Sequence, residues 1–170
     1  MPQLSPGERE AFLDQPAILC RVATIRPDGA PHVTPVWFIY DEGEIVVTPR
    51  KESAWLEHIR RDPRVAITID EEAAPYRKVT LEGVARFRFD LGHDDEWRGL
   101  YRRIACRYVP EAGAEHYIQE TLDQPRALLA LPFAGSKVRT WRMPVAGEEY
   151  TGIWHRRYYV DGSKMAARAD

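Results

Sequence analysis

The chain has 170 residues, 44% of them hydrophobic, with a formal charge of −2 at pH 7 and a pI near 6.2. That length and apolar content suit one globular domain with a sizeable core and argue against a second. The near-neutral balance removes any global electrostatic reason to expect nucleic acid as a partner, and no stretch approaches the roughly 18 to 20 apolar residues of a membrane span.

Ser5, Pro6 and Glu8 predict an N-cap with proline in the first turn, opening a short helix over residues 6–14 that Phe12 and Leu13 pin to the core. Residues 18–25 are apolar on both alternations, Arg26-Pro27-Asp28-Gly29 is a turn, and residues 31–40 are β-branched and aromatic, which together predict a tight hairpin. Pro35 has no N–H to donate, so the second strand must be an edge, a bulge or a ligand-facing break there. Asp41-Glu42-Gly43 turns the chain into a strand over 44–48. Residues 49–53 then lead into a helical stripe that Asp62-Pro63 ends, and a further strand runs to residue 70.

A strand over 79–89 puts Val79, Leu81, Gly83, Ala85, Phe87 and Phe89 on one face and mostly charged residues on the other. Trp97, Leu100, Tyr101, Ile104 and Tyr108 form one aromatic-rich helical stripe between 94 and 108. A second helix after Pro110 is expected to bury Tyr117, Ile118 and Leu122, before Pro125 releases the chain into strands over 126–133 and 137–143. Hairpins first and a helical insertion before the last strand pair predict an antiparallel barrel with helices at one side. The alternating strand and the aromatic residues 154–159 offer surface that predicts a homodimer.

Cys20 and Cys106 show no Cys-x-x-Cys spacing, and the N-terminus lacks a basic region followed by an apolar run, so reduced thiols in a soluble, cytoplasmic, unprocessed protein are expected. His32, His58, His93, His116 and His155 have no spacing that gathers ligands, so no metal is expected, and no Gly-x-Ser-x-Gly elbow supports nucleophilic catalysis. Arg60, Arg61 and Arg64, interrupted by Asp62, read as a solvated helix end rather than a nucleic-acid patch.

Two stretches invite a ligand. Arg50, Lys51 and Ser53 lie between a strand end and a helix start, where free N–H groups, the helix dipole and two cations favour a phosphate; a solvated basic loop is the plainer reading. Thr34, Val36 and Thr48 suit a sheet by residue type alone, and Pro35 marks the edge, bulge or ligand-facing break named above. Trp55 joins Leu56 and Ile59 in a core stripe or touches the ligand. Trp37, Trp141 and Trp154 are aromatic walls or packing.

The segments RVATIRPDGAPHVTPVWF, IVVTPRKES, LEHIRRDPRVAITID and PYRKVTLEGVARF, in this order, resemble the pyridoxamine 5'-phosphate oxidase-like family of flavin and deazaflavin proteins across about residues 10 to 143. The later stretch, from LYRRIACRYV to KVRTW, is similar to the branch in which many members use the deazaflavin F420. The resemblance implies a six-stranded antiparallel split β-barrel over residues 1–143, a C-terminal extension over 144–170, and a homodimer with two cofactor sites at its interface. It puts the cofactor phosphate on the Arg50-Lys51-Glu52-Ser53 loop and the ring along Thr34, Pro35 and Val36, beside Thr48. Trp55 stands where many relatives carry Lys or Arg, which shifts the phosphate onto Arg50 and Lys51. The implied activity is hydride transfer between F420, or alternatively FMN, and a small unsaturated or conjugated molecule. A pyridoxamine-phosphate-like amine oxidase using FMN and a non-enzymatic flavin or F420 carrier or sensor are the alternatives.

Overall fold

The structure is a computed structural model that describes residues 2–148 and 160–163. Ser5 Oγ accepts from the Glu8 N–H while Glu8 Oε2 accepts from the Ser5 N–H at 2.8 Å. This reciprocal box starts helix α1 (Pro6–Leu13), whose Phe12 and Leu13 are fully buried. Strands β1 (Cys20–Ile25) and β2 (Pro31–Val36) form the predicted hairpin. Asp28 Oδ1 accepts from the Ala30 N–H at 3.0 Å, and Gly29 holds a φ of +83° that a side chain resists. The remaining elements are β3 (Phe38–Asp41), β4 (Glu44–Val47), α2 (Ala54–Arg61), β5 (Arg64–Asp70), β6 (Lys78–Val84), β7 (Arg86–Phe89), α3 (Asp94–Cys106), α4 (Glu111–Gln119), β8 (Leu128–Pro132) and β9 (Lys137–Trp141).

All strand pairs are antiparallel, in one sheet ordered β2-β1-β5-β6-β9 and another ordered β3-β4-β8-β7. This is the mainly β split-barrel arrangement expected, with nine strands among the described residues in place of six and no hydrogen-bonded closure there. The residue pattern marked seven strand runs, one more than the six of the family resemblance, and two of the seven break at sheet corners. Residues 31–40 divide at Trp37, where the Phe38 N–H leaves the ladder to donate to Tyr108 Oη at 3.0 Å. Residues 79–89 divide at Ala85, whose N–H donates to the Pro63 carbonyl at 2.8 Å. Each break lets one run serve both sheets. Pro35 lies on β2, an edge strand, as its missing donor requires.

The main core lies between the sheets, where Val22, Ile67, Ile69, Val79 and Leu81 meet Phe38, Ile45, Val47, Leu129 and Leu131, with Trp55 and Ile59 of α2 joining them. A second core covers the outer face of the smaller sheet, where Ile39, Val46 and Leu128 pack on Trp97, Tyr101, Ile104 and Ile118. Strands β4 and β8 are therefore covered on both faces, which explains why their sequences do not alternate. Leu122, expected in the buried face of α4, lies beyond its end and is 49% exposed, because the helix stops at Gln119.

Cys20 is buried and Cys106 exposed, and both are free thiols. The predicted basic helix end is occupied locally: Arg60 pairs with Asp90, Arg64 with Asp62, and Arg61 Nη2 donates to the Ile25 and Arg26 carbonyls at 2.6 and 2.7 Å. Among the described residues, no helix is long and apolar enough to cross a membrane. Trp154, His155 and most of the C-terminal extension lie outside the described residues.

Candidate functional site

The corner at Trp37 and the loop after β4 meet beside the α3–α4 pair. Their junction is an open cavity of about 320 Å³, lined by Thr34, Pro35, Val36, Trp37, Thr48, Pro49, Arg50, Ser53, Trp55, Tyr101, Tyr117 and Arg126. Seven of the eight predicted site residues, from the two sequence stretches 34–36 and 48–55, are gathered on this wall. The eighth, Lys51, is exposed and not among the lining residues; its N–H donates to the Pro125 carbonyl at 2.9 Å. Trp55 satisfies both of its readings, 7% exposed in the main core and with an edge on the cavity. Ser53 is the N-cap residue of α2, and its hydroxyl makes no capping bond, so it is free to serve a ligand beside the helix N–H groups.

Sequence reasoning left Arg126, Tyr117 and Tyr101 out of the site. Arg50 and Arg126 face each other in an isolated antiparallel bridge, and the Arg126 N–H donates to Asp94 Oδ1 at 2.9 Å. Both guanidiniums turn to the same phenol: Arg50 Nη2 donates to Tyr117 Oη, and Arg126 Nη2 reaches it at 3.4 Å. Arg126 also lies 4.6 Å above the Tyr101 ring. A clue existed in the spacing of Tyr101 and Tyr117 within their helical stripes, but nothing local aimed them at the hairpin corner.

The electrostatics follow from this cluster. Burial raises the Tyr117 phenol, yet the hydrogen bonds and charges of Arg126 and Arg50 outweigh it, so the group ionises below the ordinary tyrosine range. Burial pushes Tyr101 well up, only partly opposed by the Arg126 charge. No carboxylate lines the cavity, so among the described residues its charge is purely cationic. Trp37 completes one wall, stacked on Tyr108 with ring centroids 4.9 Å apart and 2° between planes. Trp141 is not among the lining residues; Lys78 Nζ lies 4.5 Å above its ring. Neither is any histidine, and no group of three His, Cys, Asp or Glu among the described residues is gathered for a metal.

Two antiparallel sheets joined by runs that turn from one into the other, with a cationic, aromatic-walled cavity at one corner, define a split-barrel protein. The chain belongs to the pyridoxamine 5'-phosphate oxidase family, whose model matches residues 6–141. No curated protein matches it. Among solved structures it is similar to a conserved hypothetical protein from Mycobacterium tuberculosis, with 24% identity over 86% of this chain and 92% of that one and a TM-score of 0.61. It is similar to an F420 reductase, with 22% identity over 78% and 92% of the two chains and a TM-score of 0.52. The heme storage protein HutZ from Vibrio cholerae also resembles it, with 19% identity over 81% and 96% and a TM-score of 0.58. At these identities the likenesses establish the fold.

Proposed function

We propose that the protein is an oxidoreductase using F420, or alternatively FMN, that transfers a hydride between this cofactor and a small unsaturated or conjugated molecule. It works as a homodimer in which the partner covers the open side of the cavity. The observation that carries the reading is the convergence of Thr34, Pro35, Val36, Thr48, Arg50, Ser53 and Trp55 on one cavity in a chain of this family. F420 ranks ahead of FMN because the 100–141 region resembles the deazaflavin branch and Trp55 replaces the usual phosphate cation.

The residues present fit such a group. A volume of about 320 Å³ stands within the range of small-molecule sites, and the open side leaves room for a chain to reach out. Ser53, the α2 N-terminus and Arg50 are the phosphate anchors, and the edge backbone at Thr34 to Val36 with Trp37 and Trp55 forms the ring walls. The cofactor, when bound, supplies the hydride chemistry, and the protein supplies position, charge and exclusion of water. A heme reading is disfavoured because the lining holds no His, Cys or Met, and its phenol Tyr117 is already engaged by arginines.

Purified protein titrated with F420, FMN and heme, followed by turnover of the reduced cofactor with quinone and enone acceptors, tests this directly. Stoichiometric F420 or FMN binding with cofactor oxidation is expected. Binding without turnover of any acceptor would make the protein a carrier, and heme binding alone would end the reading.

A further inference from the structure

Arg126 is 6% exposed, lines the cavity, and forms no ion pair with any carboxylate among the described residues. Its Nη2 contacts to Tyr117 Oη and Thr121 Oγ1 span 3.4 and 3.5 Å, at the long limit of hydrogen bonding. The Tyr101 face offsets part of the charge, but a buried guanidinium without an anion remains costly. Arg50, the neighbouring cation, likewise has the Tyr117 phenol and no carboxylate as its side-chain partner. Tyr117 Oη accepts from both arginines, and the Tyr101 side chain is a further hydrogen-bonding neighbour of the same phenol.

We propose that Arg126, with Tyr117, is a second oxyanion receptor in this cavity, so that the small molecule handled beside the cofactor carries a carboxylate or phosphate group. This rests on the cofactor reading above, in which Ser53, the α2 N-terminus and Arg50 take the cofactor's own phosphate. A planar guanidinium fork, held in place by the Tyr117 phenol, matches the geometry of either oxyanion. A neutral acceptor would leave the charge uncompensated. Tyr117 lies on α4, and Arg126 precedes β8, bridged to Arg50 on the loop that leads into α2.

The test titrates fumarate, inorganic phosphate and neutral fumaramide at constant ionic strength, by calorimetry and thermal shift. It uses apo-protein and protein saturated with F420 or FMN, in wild type, Arg126→Met, Arg126→Lys and Tyr117→Phe. Fumarate or phosphate should bind wild type saturably, with and without cofactor, and fumaramide at least about tenfold more weakly. Which of the two anions binds better identifies the group. Arg126→Met should lose at least about tenfold, Arg126→Lys should fall between wild type and Arg126→Met because it keeps the charge and loses the fork, and Tyr117→Phe should lose about threefold or more. The melting temperature of apo Arg126→Met should not fall, because an unpaired buried charge is exchanged for an apolar side chain of similar length.

Equal oxyanion binding by wild type and Arg126→Met would overturn the proposal, as would undiminished binding by Tyr117→Phe if Arg126→Met does not fold. Loss of oxyanion binding on cofactor saturation would also overturn it, returning Arg126 to the cofactor's own phosphate. If neither F420 nor FMN binds while fumarate still depends on Arg126, the cofactor reading fails and the receptor stands. If a cofactor binds and the oxyanion titrations of wild type are flat, the receptor fails and the cofactor reading stands.

Discussion

Arg50 and Arg126, from opposite halves of the chain, pair in a single antiparallel bridge and direct both guanidiniums at the Tyr117 phenol. The bridge brings two like charges together at the mouth of a helix pair. A phenol oxygen accepting from both and a ring face beneath Arg126 hold them there, with no carboxylate among the described lining residues.

The double change Arg50→Ala with Lys51→Ala should weaken F420 or FMN binding by at least about tenfold, since a charge-assisted hydrogen bond is worth about 1.5 to 3 kcal/mol. Most of the loss should come from Arg50, because Lys51 stands off the cavity. Fluorescence titration of the single and double variants checks this. Arg60→Ala with Arg61→Ala is the control: it should bind cofactor as wild type does while melting a few degrees lower, because Arg61 ties the β1–β2 turn carbonyls.

One tyrosine should ionise below the ordinary range near pH 10 in an ultraviolet absorbance titration, and Tyr117→Phe should abolish that transition. Burial alone would raise the group, so removing either neighbouring cation, as in Arg50→Ala, should move the transition upward. A titration unchanged by Arg50→Ala would show that the guanidinium does not govern the phenol.

Tyr108 Oη accepts from the Phe38 N–H at 3.0 Å and donates to the Ile18 carbonyl at 2.7 Å, fixing the corner from which Trp37 projects. Tyr108→Phe keeps the ring stack but strips both backbone groups of their partner, at about 1 to 3 kcal/mol. A midpoint shift in urea of that size is expected, with weaker cofactor binding beside it.

Glu44, 7% exposed, accepts from Arg86 at 2.6 and 3.0 Å and from Arg88 at 2.8 Å. Burial raises its carboxyl, but the Arg86 and Arg88 hydrogen bonds and charges prevail and hold it below the usual 4.5. A depressed folded value means the stabilisation is full above the unfolded value and fades as pH falls through the folded one. Glu44→Gln should therefore cost about 1 to 3 kcal/mol at pH 7 and progressively less below pH 4.5, read from melts across pH.

Much of the local structure was legible in the sequence because its causes are local. The Ser5–Glu8 box, the Asp28-Gly29 turn and the stop at Asp62-Pro63 depend on hydrogen bonds and dihedrals within a few residues. Pro35 announced an edge, a bulge or a ligand-facing break because it lacks a donor, and the sheet order makes it an edge. The sequence reading named eight candidate residues, of which the fold gathers all but Lys51 on one wall. What the sequence by itself could not determine were the breaks at Trp37 and Ala85. Each depends on a backbone N–H captured by a distant group, Tyr108 Oη for Phe38 and the Pro63 carbonyl for Ala85. Arg126 was invisible for the same reason. Its neighbours in sequence mark a buried strand start, and only the docking of α3 and α4 on the smaller sheet brings Tyr101 and Tyr117 to its guanidinium and turns that strand start into part of a cavity wall.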